Sequence, residues 1–124
     1  MIKVQNLRKV YKVGNEKVVA LNNVSLEIPR GEFCCIVGTS GSGKSTLLNM
    51  LAGLEKPTKG KVKINGLIVS KMTEKELAKF RQNNIGFIFQ SYNLMPTMTA
   101  VENVAFPLVF KGVDRKTREK RARK

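Results

Sequence analysis

Eight residues, Gly38-Thr39-Ser40-Gly41-Ser42-Gly43-Lys44-Ser45, carry the spacing G-x-x-x-x-G-K-[ST], the Walker A pattern, at every fixed position. That spacing suits the binding of phosphate. Gly38, Gly41 and Gly43 let the backbone adopt dihedrals that a side chain disfavours, and let it approach an anion closely. Successive N–H groups then point inward as a nest. Lys44 adds a mobile positive charge for the β- and γ-phosphates. Ser45 offers a hydroxyl to Mg²⁺, which takes oxygen ligands. The competing explanation is a chance Gly/Ser-rich loop.

The neighbouring elements decide between the two. Phe33-Cys34-Cys35-Ile36-Val37 is a short apolar run and predicts a buried strand. Lys44 to Ala52 predicts a helix, with Gly53 capping its end. A loop between strand and helix places the phosphate site at a helix N-terminus, where the dipole favours an anion. Residues 1–33 read as β-rich, with turns at Gly14-Asn15 and Asn22-Asn23 and strict alternation over Val24-Ser25-Leu26-Glu27-Ile28. Lys61–Ile64, Asn65-Gly66 and Leu67–Val69 predict a hairpin. Thr73 and Glu76 form a capping box that opens a helix toward Asn84. Ile85-Gly86-Phe87-Ile88-Phe89 predicts an apolar strand ending on Gln90. Thr99 and Glu102 form a second capping box; its helix runs toward Phe110, and Pro107 kinks or stops it. Asp114 caps a last basic helix.

Composition narrows the class. The chain has 124 residues and a formal net charge of +14. Residues 111–124 hold eight basic residues against two acidic ones, so much of the excess sits there. Nucleic acid or anionic lipid is one partner for such a stretch. A solvated helix face is the other reading and is favoured, because no aromatic residues interleave for base stacking. Cys34 and Cys35 are adjacent within the apolar run and read as buried small hydrophobes in a reducing compartment. No signal-peptide pattern opens the chain and no apolar run reaches a membrane-spanning length. A cytosolic protein that meets a membrane only through a partner is expected.

By its motif order the whole chain resembles the first half of the nucleotide-binding domain of an ABC transporter. Tyr11 stands upstream like the aromatic that stacks on adenine in that family. Val24–Glu32 matches the run before the phosphate loop, Ser40–Leu48 the loop, and Ile85–Gln90 the strand ending in the Q-loop glutamine. Ser91–Val104 looks like the start of the helical subdomain. The most similar subgroup serves lipoprotein release, macrolide export and antimicrobial-peptide resistance.

The resemblance implies an α/β fold: a P-loop NTPase core, an N-terminal antiparallel β subdomain and the start of a helical subdomain. Residues 1–33 and 60–70 would be the β subdomain, 33–59 and 71–90 the P-loop core, and 91–124 the helical start. It implies ATP and Mg²⁺ as ligands. Tyr11 would stack on adenine, the alternative being an ordinary strand tyrosine. Gly38 to Lys44 would wrap the phosphates and Thr46 would meet the α-phosphate side; a threonine satisfying its own helix end is the alternative there. Ser45 and Gln90 would ligate Mg²⁺, and Lys44 and Gln90 would act in catalysis, Gln90 reaching the attacking water. A polar strand end is the alternative for Gln90. Val18 or Val19 pads the adenine edge or packs in the core. A membrane-spanning permease and a second ATPase copy would be partners, with the protein peripheral on the inner membrane face.

The pattern also departs from the family. There is no Leu-Ser-Gly-Gly-Gln segment, no strand ending in Asp-Glu and no histidine. Hydrolysis needs a positioned water, a base and charge stabilisation, and this chain supplies chiefly the cradle. A fragment or half of a split subunit is therefore expected, with bare apolar strand edges. The rival functions are an ATPase of this family without a membrane partner, a P-loop kinase or GTPase, and a basic nucleic-acid-binding module.

Overall fold

In the computed structural model, which describes residues 1–124, the first two strands are the longest. β1 (Ile2–Val13) and β2 (Glu16–Ile28) form one antiparallel hairpin that closes at Gly14-Asn15, with Val13 opposite Glu16. β3 (Lys59–Ile64) pairs with the other edge of β1, and β4 (Leu67–Ile68) returns through Asn65-Gly66. The sheet order is β2-β1-β3-β4. A 3-10 turn, Val69–Lys71, follows β4, so Val69 leaves the expected return strand.

Asn22-Asn23 is not a turn. β2 passes straight through it, and register shifts between Val4 and Val10 absorb the irregularity. Asn6 (φ 47°) and Asn23 (φ 56°) are left-handed, which asparagine tolerates. The Asn6 N–H donates to Ser25 Oγ at 2.8 Å, so the bulge keeps its backbone donor satisfied. Strand pairing with β1 thus overrides the local turn signal.

α1 (Lys44–Leu51) packs on this sheet. Val4, Leu7, Leu21, Val62 and Ile64 from the sheet meet Leu47, Met50 and Leu51 from the helix, with Val69 and with Leu77 and Phe80 of α2 (Glu74–Asn84). Leu7 and Val62 are wholly buried, each stabilising the fold by about 1.5–3 kcal/mol relative to exposure. α1 ends at Gly53 (φ +67°): Gly53 N donates to Met50 O at 3.1 Å and Leu54 N to Asn49 O at 2.8 Å. This is a Schellman ending. Arg81 Nη1 adds a bond to Gly53 O at 2.6 Å, tying α2 to the end of α1. α2 begins with the expected capping box, with Thr73 Oγ1 accepting from Glu76 N.

The chain divides into two bodies, Met1–Ile85 and Gly86–Lys124. The second holds α3 (Ala100–Val109) and α4 (Arg115–Ala122). α3 opens on the expected Thr99/Glu102 box and carries Pro107 inside it without stopping. Asp114 caps α4 through Oδ1, which accepts from Thr117 N at 3.0 Å.

Two expected strands do not form. Phe33–Val37 and Ile85–Phe89 carry no regular structure. A strand exists only where another takes up its N–H and C=O groups, and neither segment joins the four-stranded sheet. Phe33 is 94% exposed, Val37 90% and Ile88 99%; Cys34 and Cys35 are exposed rather than buried. The bare strand edges expected from the sequence are therefore absent, because the strands that would carry them do not form.

Candidate functional site

The phosphate-loop residues lie in the first body, between the unpaired Phe33–Val37 run and α1. Gly41 (φ +77°) and Gly43 (φ +90°) are both left-handed. A Cβ on Gly43 would stand 2.5 Å from Ala20 O and 2.9 Å from Leu21 Cδ2, so β2 backs the loop directly. A Cβ on Gly38 would stand 2.7 Å from Ser42 Oγ. Gly43 is also the N-cap of α1, and no side chain caps that end. No acidic residue lies in its first turn. The other three α-helices each have a side-chain cap, from Thr73, Thr99 or Asp114. First-turn amides lack intrahelical acceptors, so Lys44, Ser45 and Thr46 present theirs at the loop.

The Lys44 ammonium closes over its own loop. Nζ donates to Gly38 O at 2.9 Å, to Thr39 O at 2.6 Å and to Ser42 Oγ at 3.4 Å. Ser42 N in turn donates to Thr39 O at 3.3 Å. The loop, including exposed Ser40, therefore has a defined curl around one positive charge. An anion entering it would replace neutral acceptors by a negatively charged one and add ion-pair attraction to the hydrogen bond. Ser45 is exposed in the first turn of α1, and its hydroxyl suits a hard cation beside such an anion.

Tyr11 stands near the same helix. Its phenol donates to Glu55 Oε2 at 2.5 Å, and the Thr46 side chain also lies close enough to act on it. Lys9 Nζ sits 4.9 Å from the Tyr11 ring centroid and 3.2 Å from Glu55 Oε2. Asn49 Nδ2, on α1, holds Glu55 Oε1 at 3.1 Å. Val18 pairs directly opposite Tyr11 on β2 and is 48% exposed; Val19 is 47% exposed. Neither valine belongs to the core.

Gln90 belongs to the second body. It is exposed, in a turn rather than at a strand end. Tyr92 (φ 53°) and Asn93 (φ 54°), just after it, are both left-handed, a strained conformation for tyrosine. Further along, Asn103 of α3 clasps the loop: Oδ1 accepts from Met95 N at 2.8 Å and Nδ2 donates to the carbonyls of Met95, Met98 and Thr99.

The sequence matches the family described as ABC transporter over residues 21–124. The chain belongs to that family. An uncharacterized ABC transporter ATP-binding protein of Thermotoga maritima is 53% identical over 115 residues, which are 93% of this chain and 49% of that protein. The macrolide export ATP-binding/permease protein MacB of Vibrio parahaemolyticus is 47% identical over 122 residues, 98% of this chain and 19% of that one. Among solved structures, the ATP-binding cassette MJ0796 of Methanocaldococcus jannaschii superposes with a TM-score of 0.92 at 48% identity. That structure is a dimer in a post-hydrolysis state bound to ADP and Pi; the match covers 98% of this chain and 54% of that one. The fold class is therefore α/β, part of an ABC cassette with its antiparallel sheet and the start of its helices. The chain spans about half the length of the ATP-binding relatives it matches. No helix is long and apolar enough to cross a membrane.

Glu55, which sequence reading did not single out, is the residue that the structure brings to Tyr11. It sits in the turn after α1, with no motif to mark it. Partial burial pushes its carboxyl up, but bonds from Tyr11, Asn49 and Lys9 outweigh this and hold it below the ordinary value. A depressed carboxyl stabilises the fold above its unfolded pKa and loses that contribution as pH falls through the folded one. Glu55→Gln is therefore expected to flatten the fall of thermal midpoint between about pH 5 and pH 3. Parallel melts of wild type and variant check this; identical slopes would contradict it. Tyr11 is shifted the other way: burial and then the Glu55 bond raise its phenol, against a smaller lowering by Thr46.

Proposed function

We propose that this chain provides the nucleotide-gripping part of an ATP-binding subunit that couples ATP binding and hydrolysis to export or extraction through a membrane subunit. One observation carries the reading. A curled loop with left-handed Gly41 and Gly43 delivers the Lys44 ammonium to the uncapped N-terminus of α1. Backbone amides at a helix N-terminus beside one ammonium group suit an anion such as phosphate.

The residue roles combine the loop chemistry above with the family resemblance. Gly38 to Gly43 and the amides of Lys44, Ser45 and Thr46 bind the phosphates; Lys44 neutralises the β- and γ-groups. Tyr11 offers its ring to adenine, with half-exposed Val18 beside it as padding. Ser45 would hold Mg²⁺, which when bound would supply positive charge to the phosphates; Gln90 is carried over as a further ligand from the family motif alone. Lys44 and Gln90 act in the phosphoryl transfer, Gln90 by orienting water.

Several partners are supported by relatives. The fused ATP-binding/permease design of MacB supports a membrane-spanning partner. The dimer of MJ0796 supports a second ATPase copy. The protein would then sit in the cytoplasm, peripheral on the inner face of the membrane through its permease.

Titration calorimetry of the folded protein with Mg-ATP, against Mg-GTP and duplex DNA, tests the reading. ATP is expected to release heat at one site, in preference to GTP. A chain that circular dichroism shows to be folded, yet that ignores ATP, would refute it. Salt-sensitive DNA binding without ATP binding would favour a basic module instead.

A further inference from the structure

We propose that Glu55 is a positioning residue for base recognition: it fixes where the Tyr11 ring stands relative to the phosphate loop. This rests on the reading above that Tyr11 stacks on adenine.

A tyrosine ring turns about two side-chain bonds, and Tyr11 is only half-buried, so core packing alone does not fix it. Its phenol is held instead. Glu55 Oε2 accepts from it at 2.5 Å. The carboxylate is itself immobilised: Asn49 Nδ2 holds Oε1 at 3.1 Å, and Lys9 Nζ lies 3.2 Å from Oε2. Lys9 is fixed in turn by Lys56 O at 2.8 Å, and its ammonium lies over the Tyr11 ring at 4.9 Å from the centroid. One ring face is therefore occupied by a cation, and a planar ligand must use the other.

The anchor points matter for function because they belong to the helix that the loop caps. Asn49 lies on α1, and Glu55 follows directly after its Schellman ending. Thr46, in the first turn of α1, also acts on the phenol. Tyr11 on β1 is thus referenced to both ends of α1. A nucleotide has a set distance between base and phosphates. Holding ring and loop to one helix matches the two halves of the site to one ligand and spares the ordering cost at binding.

The test separates base from phosphate. Mg-ATP and inorganic tripolyphosphate are titrated against wild type, Glu55→Ala, Tyr11→Phe, the double variant and Tyr11→Ala. Glu55→Ala is expected to weaken ATP about five- to tenfold and to leave tripolyphosphate within about twofold. Tyr11→Phe removes the same bond from the other side, so it should match Glu55→Ala, and the double variant should lose nothing more. Tyr11→Phe also keeps the test valid should Glu55→Ala fail to fold. ATP binding unchanged in both single variants, or equal losses for both ligands, would overturn the proposal. The Tyr11→Ala arm checks the underlying reading. If it does not weaken ATP relative to tripolyphosphate, base stacking itself fails and the proposal with it. If it does while Glu55→Ala and Tyr11→Phe are silent, only the positioning role fails. In a Tyr92→Phe background, phenolate absorbance of Glu55→Ala should titrate at lower pH than that of the parent. An unmoved titration would show that phenol and carboxylate do not meet, and would also overturn the proposal.

Discussion

Lys44→Ala lowers affinity for Mg-ATP by about 10- to 100-fold, the worth of a hydrogen bond to a charged group, while moving the thermal midpoint by only a few degrees at most, on the order of what one exposed bond contributes. The two readouts part because the ammonium's partners differ with and without ligand. Without it, Nζ donates to Gly38 O, Thr39 O and Ser42 Oγ, all at the exposed loop. Water replaces those bonds at small cost once the side chain is gone. With triphosphate present, the same ammonium faces several negative charges at once, and nothing else in the loop supplies a full positive charge. Lys44→Arg should recover little, since a planar fork does not fit a curl shaped around one ammonium. Calorimetry and thermal melts on the same samples check both halves. A variant that binds ATP as wild type does would remove Lys44 from the site.

Gly43→Ala does more damage, because it attacks fold and site together. Gly43 has φ +90° and serves as the N-cap of α1. An alanine there pays for the left-handed backbone, about 1–2 kcal/mol. Its Cβ would also meet Ala20 O at 2.5 Å and Leu21 Cδ2 at 2.9 Å. A backbone carbonyl in a paired strand cannot swing aside as a side-chain tip can, so β2 or α1 must shift. Overpacking of this kind costs about 1–3 kcal/mol more. The sum, about 2–5 kcal/mol, should lower the melting midpoint on the order of 10 °C or more. It should also abolish measurable ATP binding, because the displaced amides no longer converge. Gly14→Ala is the control: Gly14 is also left-handed (φ +60°), but nothing lies within 4 Å of its Cβ position. It should cost stability alone. Equal behaviour of the two variants would refute the close-approach argument.

The contrast between these glycines shows what could be read from residues alone. The motif spacing marks Gly43 as required, but the obstacle that requires it is the Ala20 carbonyl on another element. The caps at Thr73, Thr99 and Asp114, the Gly14-Asn15 and Asn65-Gly66 turns and the start of α1 were all legible, because each depends on residues within a few positions. Asn22-Asn23 misled for the complementary reason. Its local turn preference was outweighed by pairing with β1, which no window around it contains. Gln90 was expected at the end of an apolar strand, and that strand does not form here. Hydrophobic sequence supplies a willingness to pair, and pairing needs a second strand.

The sequence by itself determined the phosphate loop, the helix boundaries and the family. Tertiary structure alone decided that Glu55 meets Tyr11 across 44 residues of chain, that Lys9 covers one face of the ring, and that Val18 stands opposite it outside the core. It also decided that Phe33–Val37 and Ile85–Phe89 stay unpaired, with Phe33, Val37 and Ile88 exposed and Ile36 and Ile85 packed against the core. The physical reason is range. Backbone dihedrals and caps are set by near neighbours, whereas a strand, a buried face or a hydrogen bond between distant side chains exists only when folding brings its other half alongside.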